Sequence, residues 1–380
     1  MDTPRSDLIP VKSTLLFDWK PVYSGNLSWV PSRTIYLTRH GSHAYGTNLP
    51  TSDLDLRGVM IAPREYYLGF LNTVEQVTQS EPDLTIFELR KFMKLAAECN
   101  PNVLEILYTD ESDHLVVSPL GTTLLGSREL FLSQRAKHTF SGYATQQLKR
   151  INTHYRWIKT PPVAPPTRAE FNLPEHTLIP ADQLAAASAT INKRMDEWNW
   201  HELEELGPAN RQSIKDEFYR RLLEITKWSW KDVEEKTWNA AANSLGFSTN
   251  FIELLDLERR YTSKLREWQQ FQDWKKNRNP DRAKLEEQFG YDTKHAMHLV
   301  RLLRMCREIL TEGKVVVRRP DAEDLLRIRA GAWNYYELVE WAAKQDVELT
   351  ELAKVSKLPK KPDLHRIDGL CIDLAQQARF

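Results

Sequence analysis

The stretch that decides the fold is His40 to Gly58, which reads HGSHAYGTNLPTSDLDLRG. Asp53 and Asp55 stand two residues apart in a β-rich run, and alternate side chains of a strand point to the same face. Two carboxylates held this close repel each other unless a cation lies between them. Paired oxygen ligands that leave room for phosphates and water are typical of a Mg²⁺ site. The spacing therefore predicts that Asp53 and Asp55 bind a divalent metal.

A second feature lies upstream, where a β-rich run from Arg33 to Arg39 meets Gly41 and Ser42. This Gly-Ser pair predicts a tight turn. Backbone amides exposed by such a turn, together with the Ser42 hydroxyl, can hold the outer phosphates of a nucleoside triphosphate. A phosphate-binding turn and a metal-binding acid pair are together the minimum for nucleotidyl transfer, in which metal ions activate a hydroxyl and neutralise leaving pyrophosphate.

The combined stretch GSHAYGTNLPTSDLDLRGV resembles the signature of the DNA polymerase β-type nucleotidyltransferase superfamily. It is most similar to the bacterial and phage group of predicted or RNA-ligase-associated nucleotidyltransferases. Later blocks also resemble this group: Glu88 to Leu107, Phe140 to Ile151 and Gly290 to Leu310. The resemblance implies a nucleotidyltransferase palm followed by a helical domain. It also implies that Gly41 and Ser42 form the phosphate turn and that Asp53 and Asp55 bind two Mg²⁺ ions, with Mn²⁺ as a substitute.

The same resemblance implies a third catalytic and metal-binding acid on a later strand. Asp83 fits this position, because it follows Pro82 and begins the β-rich run LTIF, and Glu81 is the next alternative. In the superfamily this acid helps to remove the proton of the attacking hydroxyl.

The expected fold class is α+β, with a mixed sheet and helices followed by a large, mainly helical region. Strands are predicted near 33–39, 54–62 and 84–87, and helices near 88–100, 141–157, 293–310 and 321–343. The predicted domains are a nucleotidyltransferase domain over 1–125 and a helical domain over 126–380. The latter contains a Pro-rich connector near 160–180 and a charged, Trp-rich helical insertion over 182–285 that no resemblance places.

Further binding residues are predicted on two helices. Lys294, His298 and Arg301 form one polar stripe that could contact the nucleotide, opposite an apolar stripe that begins at Leu299. Lys149 and Arg150 are candidates for a polynucleotide contact. The alternative for each group is an ordinary solvated or salt-bridged helix face.

Composition sets broad limits on the protein. The net charge is zero, with 52 Lys and Arg and 52 Asp and Glu, yet the charges are segregated along the chain. Residues 127–159 carry seven basic residues and one acid, and residues 196–258 carry seven and fourteen. Since the local field decides what a surface attracts, a basic region can still bind RNA. The sequence has no secretory signal, no apolar run of membrane length and three distant cysteines, so a cytoplasmic location without a membrane partner is expected.

The predicted function is Mg²⁺-dependent transfer of a nucleoside monophosphate from an NTP, such as ATP, to an acceptor hydroxyl. An RNA end is favoured as the acceptor, in tRNA or RNA processing or repair. Two alternatives remain at this point: modification of a protein hydroxyl with AMP or UMP, and a defence or antitoxin-type transferase.

Overall fold

A computed structural model of the chain describes residues 27–177, 179–197, 238–239, 242–278 and 280–378. The chain divides into two compact units. The first comprises Met1–Thr160 with Asn279–Phe380, and the second is Pro161–Arg278. The predicted boundary near residue 125 lies inside the first unit, and most of the predicted 182–285 insertion lies inside the second.

The first unit contains a five-stranded mixed sheet with the strand order β3-β4-β2-β1-β5. Its strands are β1 Thr34–His40, β2 Asp55–Met60, β3 Gln76–Gln79, β4 Asp83–Glu88 and β5 His114–Val117. Strands β2 and β4 run parallel, and the other neighbouring pairs are antiparallel. Residues of β1 and β2 are buried almost continuously, as expected for central strands covered on both faces.

The helices of the described residues are α1 Val30–Arg33, α2 Gly41–Tyr45, α3 Glu65–Leu68, α4 Leu89–Ala97, α5 Pro101–Leu104, α6 Pro119–Gly126, α7 Arg135–Lys159, α8 Ala181–Glu197, α9 Thr249–Asn277, α10 Pro280–Phe289, α11 Thr293–Glu312, α12 Ala322–Arg329, α13 Tyr335–Val355 and α14 Leu364–Gln377. None of these combines the length and apolar character that crossing a membrane requires. The α+β fold class predicted from the sequence is confirmed.

One hydrophobic core joins the sheet to the C-terminal helices of the first unit. Val59 of β2 and Phe92 of α4 belong to the same buried cluster as Leu299 of α11, Leu338 of α13 and Leu374 of α14. The other face of the sheet has its own cluster, which contains Leu37, Leu56 and Ile86 among others. The sheet and the helices that follow residue 279 are therefore parts of one folded body.

Two local predictions differ from the structure. The single helix predicted over 321–343 is wrong, because the chain leaves α12 through Gly331 at φ +87 and restarts α13 at Asn334. The Asn334 side chain accepts hydrogen bonds from the amides of Tyr336 and Glu337, and Glu337 accepts one from the Asn334 amide, which is a capping box. The strands β3 and β5 were not predicted from the sequence.

The second unit has a small core of its own around Ile191, Trp238 and Leu255. A nearly buried ion pair joins Arg168, which lies in the Pro-rich connector, to Glu258 of α9, with Arg168 Nη1 3.0 Å from Glu258 Oε2. Much of the charged, Trp-rich part of the predicted insertion, residues 198–237, lies outside the described residues.

Candidate active site

Two acids meet where the parallel strands β2 and β4 begin. Asp55 is the register partner of Asp83, so the two carboxyl groups stand on adjacent strands at the same level. Asp53 lies two residues before Asp55 in an exposed position just ahead of the strand. Burial raises the pKa of Asp55, and the neighbouring Asp83 acts in the same direction. Of the two alternatives for the third acid, Asp83 is the one opposite Asp55, whereas Glu81 lies in the exposed turn before β4.

The Gly-Ser turn lies directly against this acid pair. Strand β1 ends at His40, the register partner of Asp55, and Gly41 then begins α2 with φ +62. A Cβ atom on Gly41 would lie 2.0 Å from Oδ2 of Asp55, so only glycine permits this approach of backbone to carboxyl. Ser42 is the next residue, in the first turn of α2, whose N-terminus has no side-chain cap.

Replacing Gly41 with alanine is expected to displace Asp55 and to impair the site. The matched control is Gly46→Ala at the other end of α2, where φ is +74 but the nearest atom to a new Cβ is 3.6 Å away. Both changes carry the strain of a left-handed backbone, roughly 1–2 kcal/mol. Thermal melts should therefore show at least as large a loss for Gly41→Ala as for Gly46→Ala, and only Gly41→Ala should lose transfer activity. Equal activity in the two variants would show that the contact with Asp55 is unimportant.

Arg57 is the third member of the charged group. Its Nη1 and Nη2 atoms donate to the two carboxylate oxygens of Asp83 at 3.1 and 3.0 Å, and Nη2 lies 4.0 Å from Oδ1 of Asp55. Although burial raises the pKa of Asp83, the hydrogen bonds and charge of Arg57 outweigh it and hold this pKa below its usual value. Arg57 therefore keeps Asp83 ionised and pairs with both acids.

The N-terminal turn of α11 brings Lys294 to the same place. Lys294 is half-buried and interacts electrostatically with Asp55. Burial lowers the pKa of Lys294, and the nearby cations Arg282 and Arg329 lower it further. One helical turn later, burial lowers the pKa of His298 well below its ordinary value, so this imidazole is neutral at physiological pH. Lys294 is thus a cation near the acid group, from a part of the sequence far from the signature.

Arg301 corrects the predicted polar stripe, because its side chain is only 5% exposed and does not reach solvent. Its Nη1 donates to Oε1 of Glu105 at 2.7 Å, and its guanidinium lies 3.9 Å from the centre of the Tyr45 ring. The Tyr45 hydroxyl donates to the other oxygen of Glu105 at 2.5 Å, and His40 Nε2 lies 3.8 Å from that oxygen. We call Arg301, Glu105, Tyr45 and His40 the buried ionic cluster. His40 immediately precedes α2, and Tyr45 is its last residue. The cluster therefore packs against α2 and supports the Gly-Ser turn.

Burial also explains the state of His40. It lowers the pKa of His40 to about 4, outweighing the opposite effect of Glu105, so the imidazole is neutral beside the acid. Sequence reasoning did not find Glu105, although a glutamate within the apolar run NVLEIL is a signal for a buried acid that needs a cationic partner.

The remaining candidates lie on helix surfaces. Lys149 and Arg150 are both exposed on α7. Arg150 is close enough to His295 of α11 to affect its pKa, and His295 is the neighbour of Lys294 in the chain. Arg282, Arg329 and Lys294 interact with one another in the same way. A set of positive charges therefore surrounds the N-terminus of α11.

Comparisons with known proteins agree with this geometry. Residues 27–245 match RlaP, described as the RNA repair pathway DNA polymerase beta family. An uncharacterised 38.9 kDa protein from the nrdC-mobD intergenic region of Enterobacteria phage T4 is 32% identical over 87 residues, which are 20% of this chain and 26% of the phage protein. The uncharacterised protein YcgL of Bacillus subtilis strain 168 is 23% identical over 241 residues, 57% of this chain and 89% of YcgL. No solved structure gave a significant match.

The match over residues 27–245 identifies the class as polymerase β-type nucleotidyltransferases, the superfamily that the signature resembles. Because the match covers more than half of the chain, this protein belongs to the RNA repair pathway DNA polymerase beta family.

Proposed function

We propose that the protein transfers a nucleoside monophosphate from an NTP to a hydroxyl at an RNA end, with Mg²⁺ as cofactor. The observation that carries this proposal is the meeting of three elements: Asp55 is paired with Asp83 across β2 and β4, and it lies against the backbone of Gly41. The phosphate turn and the metal-binding acid pair can act on one nucleotide only if they lie this close together.

Asp53, Asp55 and Asp83 would hold the metal ions. The fit rests on Asp55 and Asp83, which are paired across adjacent strands closely enough for Asp83 to raise the pKa of Asp55. A divalent cation between the two carboxyl groups can remove this repulsion. Bound here, Mg²⁺ or Mn²⁺ would supply Lewis-acid activation of the attacking oxygen and charge neutralisation on the leaving group.

The chain's own groups would then bind and orient the reactants. The amides of Gly41 and Ser42 bind the β- and γ-phosphates, and Lys294 neutralises part of their charge. His298, which is neutral, would contact the nucleotide as a donor or acceptor. The acceptor oxygen forms a bond to the α-phosphorus while the bond to the bridging oxygen breaks. Pyrophosphate leaves with that electron pair, and the hydroxyl proton passes to the Asp83 carboxylate.

Two observations favour RNA as the acceptor. The family is described by its place in an RNA repair pathway. In addition, Arg150, Arg282, Lys294 and Arg329 are close enough to interact electrostatically around the start of α11, and Lys149 lies exposed beside Arg150. Basic groups of this kind bind phosphate backbones with a strong dependence on salt.

A labelling experiment tests the proposal. The full chain is incubated with each α-³²P-labelled NTP, Mg²⁺ and either total RNA or a protein extract, and the labelled fraction is identified. We expect the label to be found in RNA and to be recovered as a single nucleoside monophosphate when that RNA is digested. Transfer should decline steeply as the salt concentration is raised. Label in protein alone would replace RNA with a protein acceptor. Absence of transfer with every NTP, in Mg²⁺ and in Mn²⁺, would refute nucleotidyl transfer.

The raised pKa of Asp55 gives a separate prediction for the metal-free protein. A carboxyl whose pKa is higher in the folded than in the unfolded state stabilises the fold below the unfolded pKa, and this contribution is lost as the pH rises through the folded pKa. In EDTA, the Tm of the wild type should therefore fall relative to that of Asp55→Asn as the pH rises from about 4 to neutrality. Adding Mg²⁺ at neutral pH should raise the Tm of the wild type only. A Tm difference that does not change with pH would argue against a raised pKa of Asp55.

A further inference from the structure

A second cluster of ligand-type side chains lies in the first unit, apart from the three acids. His154 of α7, Glu286 of α10 and Asp292 at the start of α11 bring their potential ligand atoms within 4.8 Å of one another. His154 Nδ1 lies 3.5 Å from Oε1 of Glu286, and both Glu286 and Asp292 are 2% exposed. His295 lies beside Asp292, with its Nε2 atom 3.5 Å from Oδ2 of Asp292.

The two oxygens of Asp292 have different roles. Oδ1 caps α11 by accepting a hydrogen bond from the His295 amide at 3.0 Å. Oδ2 is buried and accepts no hydrogen bond from any residue in the part of the chain that the structure describes. The nearest cation to it is Nη1 of Arg282, at 3.9 Å. A buried carboxylate oxygen without a hydrogen bond is costly, and a cation at this point would remove the cost.

We propose that His154, Glu286 and Asp292 bind one Zn²⁺ ion, with the fourth position left for water. Ligands about 2.0–2.1 Å from zinc in a tetrahedron lie roughly 3.3–3.4 Å apart, and His154 Nδ1 and Glu286 Oε1 are already 3.5 Å apart. An imidazole with two carboxylates favours zinc over Mg²⁺, which prefers oxygen ligands alone. The site shares no ligand with Asp53, Asp55 and Asp83.

Such a site would connect three helices close to the active site. Its ligands come from α7, α10 and the first turn of α11, and Lys294 lies in the chain between Asp292 and His295. Zinc would therefore hold in place the first turn of α11, which carries Lys294. Its effect would be to stabilise the fold and to position Lys294, and the chemical step would not involve it.

Metal content provides the test, with a matched pair of variants. Asp292→Asn keeps a helix cap, since asparagine caps as well as aspartate, but replaces Oδ2 with a group that binds zinc poorly. Asp363→Asn is the control, because Asp363 Oδ1 caps α14 in the same way, through the Arg366 amide at 3.1 Å. The full chain, produced with zinc in the medium and desalted, is analysed by mass spectrometry for metals.

We expect about one zinc per chain in the wild type and in Asp363→Asn, and less than about a tenth of that in Asp292→Asn, since each structural zinc needs all its ligands. A strong chelator should lower the Tm of the wild type and leave that of Asp292→Asn unchanged. Asp55→Asn should retain zinc in full, so this result is independent of the proposed transferase activity.

Two outcomes would overturn the proposal. One is a wild-type chain that contains no zinc and whose Tm does not respond to the chelator, in which case Arg282 and the two histidines neutralise the acids as an ion-pair network. The other is zinc content that is equal in Asp292→Asn and in the wild type, which would place the metal elsewhere.

Discussion

Asp55→Asn is expected to lower nucleotidyl transfer by more than about 100-fold, because residues that only orient metal ligands already contribute 10–100-fold and Asp55 is proposed as a ligand itself. Its carboxyl contacts both Asp83 and the backbone of Gly41. The substitution keeps the size of the side chain but removes the charge that binds a cation. Steady-state transfer of label from the preferred NTP is the measurement.

The fold should survive this change. The Asp55 carboxyl is held in a partly buried position beside another acid, so the neutral amide is expected to leave the Tm of the metal-free protein unchanged or higher. Asp110→Asn is a suitable control, because Asp110 is an exposed cap that asparagine can replace. Asp53→Asn should also abolish turnover. Full activity in both Asp53→Asn and Asp55→Asn would exclude this site.

The second large effect concerns stability. Arg301→Met is expected to destabilise the first unit by about 3–5 kcal/mol, because it leaves a buried charge without its partner. Glu105 is fully buried, and Arg301 and the Tyr45 hydroxyl each donate to one of its oxygens. Urea unfolding of the two proteins at neutral pH gives the difference in the free energy of unfolding.

Two companion variants separate the buried charge from other causes. Arg307→Met on the same helix breaks an exposed ion pair with Glu348 and should cost less than about 1 kcal/mol. Combining Arg301→Met with Glu105→Gln removes both charges and should recover much of the lost stability. If Arg301→Met is no more harmful than Arg307→Met, the buried ionic cluster is not what supports the Gly-Ser turn.

The sequence placed Asp55 and the Gly41-Ser42 turn in one short stretch, and in the structure Asp55 lies against Gly41. Two-residue alternation does not apply to Asp53, because β2 begins only at Asp55 and Asp53 lies exposed ahead of it. The metal-binding role of Asp53 therefore stays a prediction. Asp83 was a different case, since neither spacing nor composition relates it to Asp55. Only the family resemblance pointed to it, and the parallel pairing of β2 with β4 places the two side by side.

The sequence was less informative about the margins of the sheet. The missed strands β3 and β5 have four residues each and are the two edge strands. Such short runs give little periodic signal, and the pairing that forms them is set by distant residues. The helix predicted over 321–343 wrongly joins α12 and α13. The helical pattern continues on both sides of the break, and one glycine and one asparagine cap outweigh it.

Arg301 shows the limit of reading a single helix. Its spacing from Lys294 and His298 is correct for one stripe, and the opposite stripe is buried as predicted, with Leu299, Leu302 and others in the core. The stripe does not show that Glu105 lies against Arg301, because this partner comes from a segment almost two hundred residues earlier. Tertiary contacts of that kind decide which polar residues of a stripe reach solvent.

The common core of the sheet and the late helices determines where a shorter recombinant fragment can end. A truncation at residue 245, where the family match ends, would remove α11, α13 and α14 and expose the apolar residues that they cover, among them Phe92 and Leu107. Such a fragment is expected to aggregate even though it retains every residue of the signature. Expression boundaries for this protein must therefore follow its core and include the C-terminal helices.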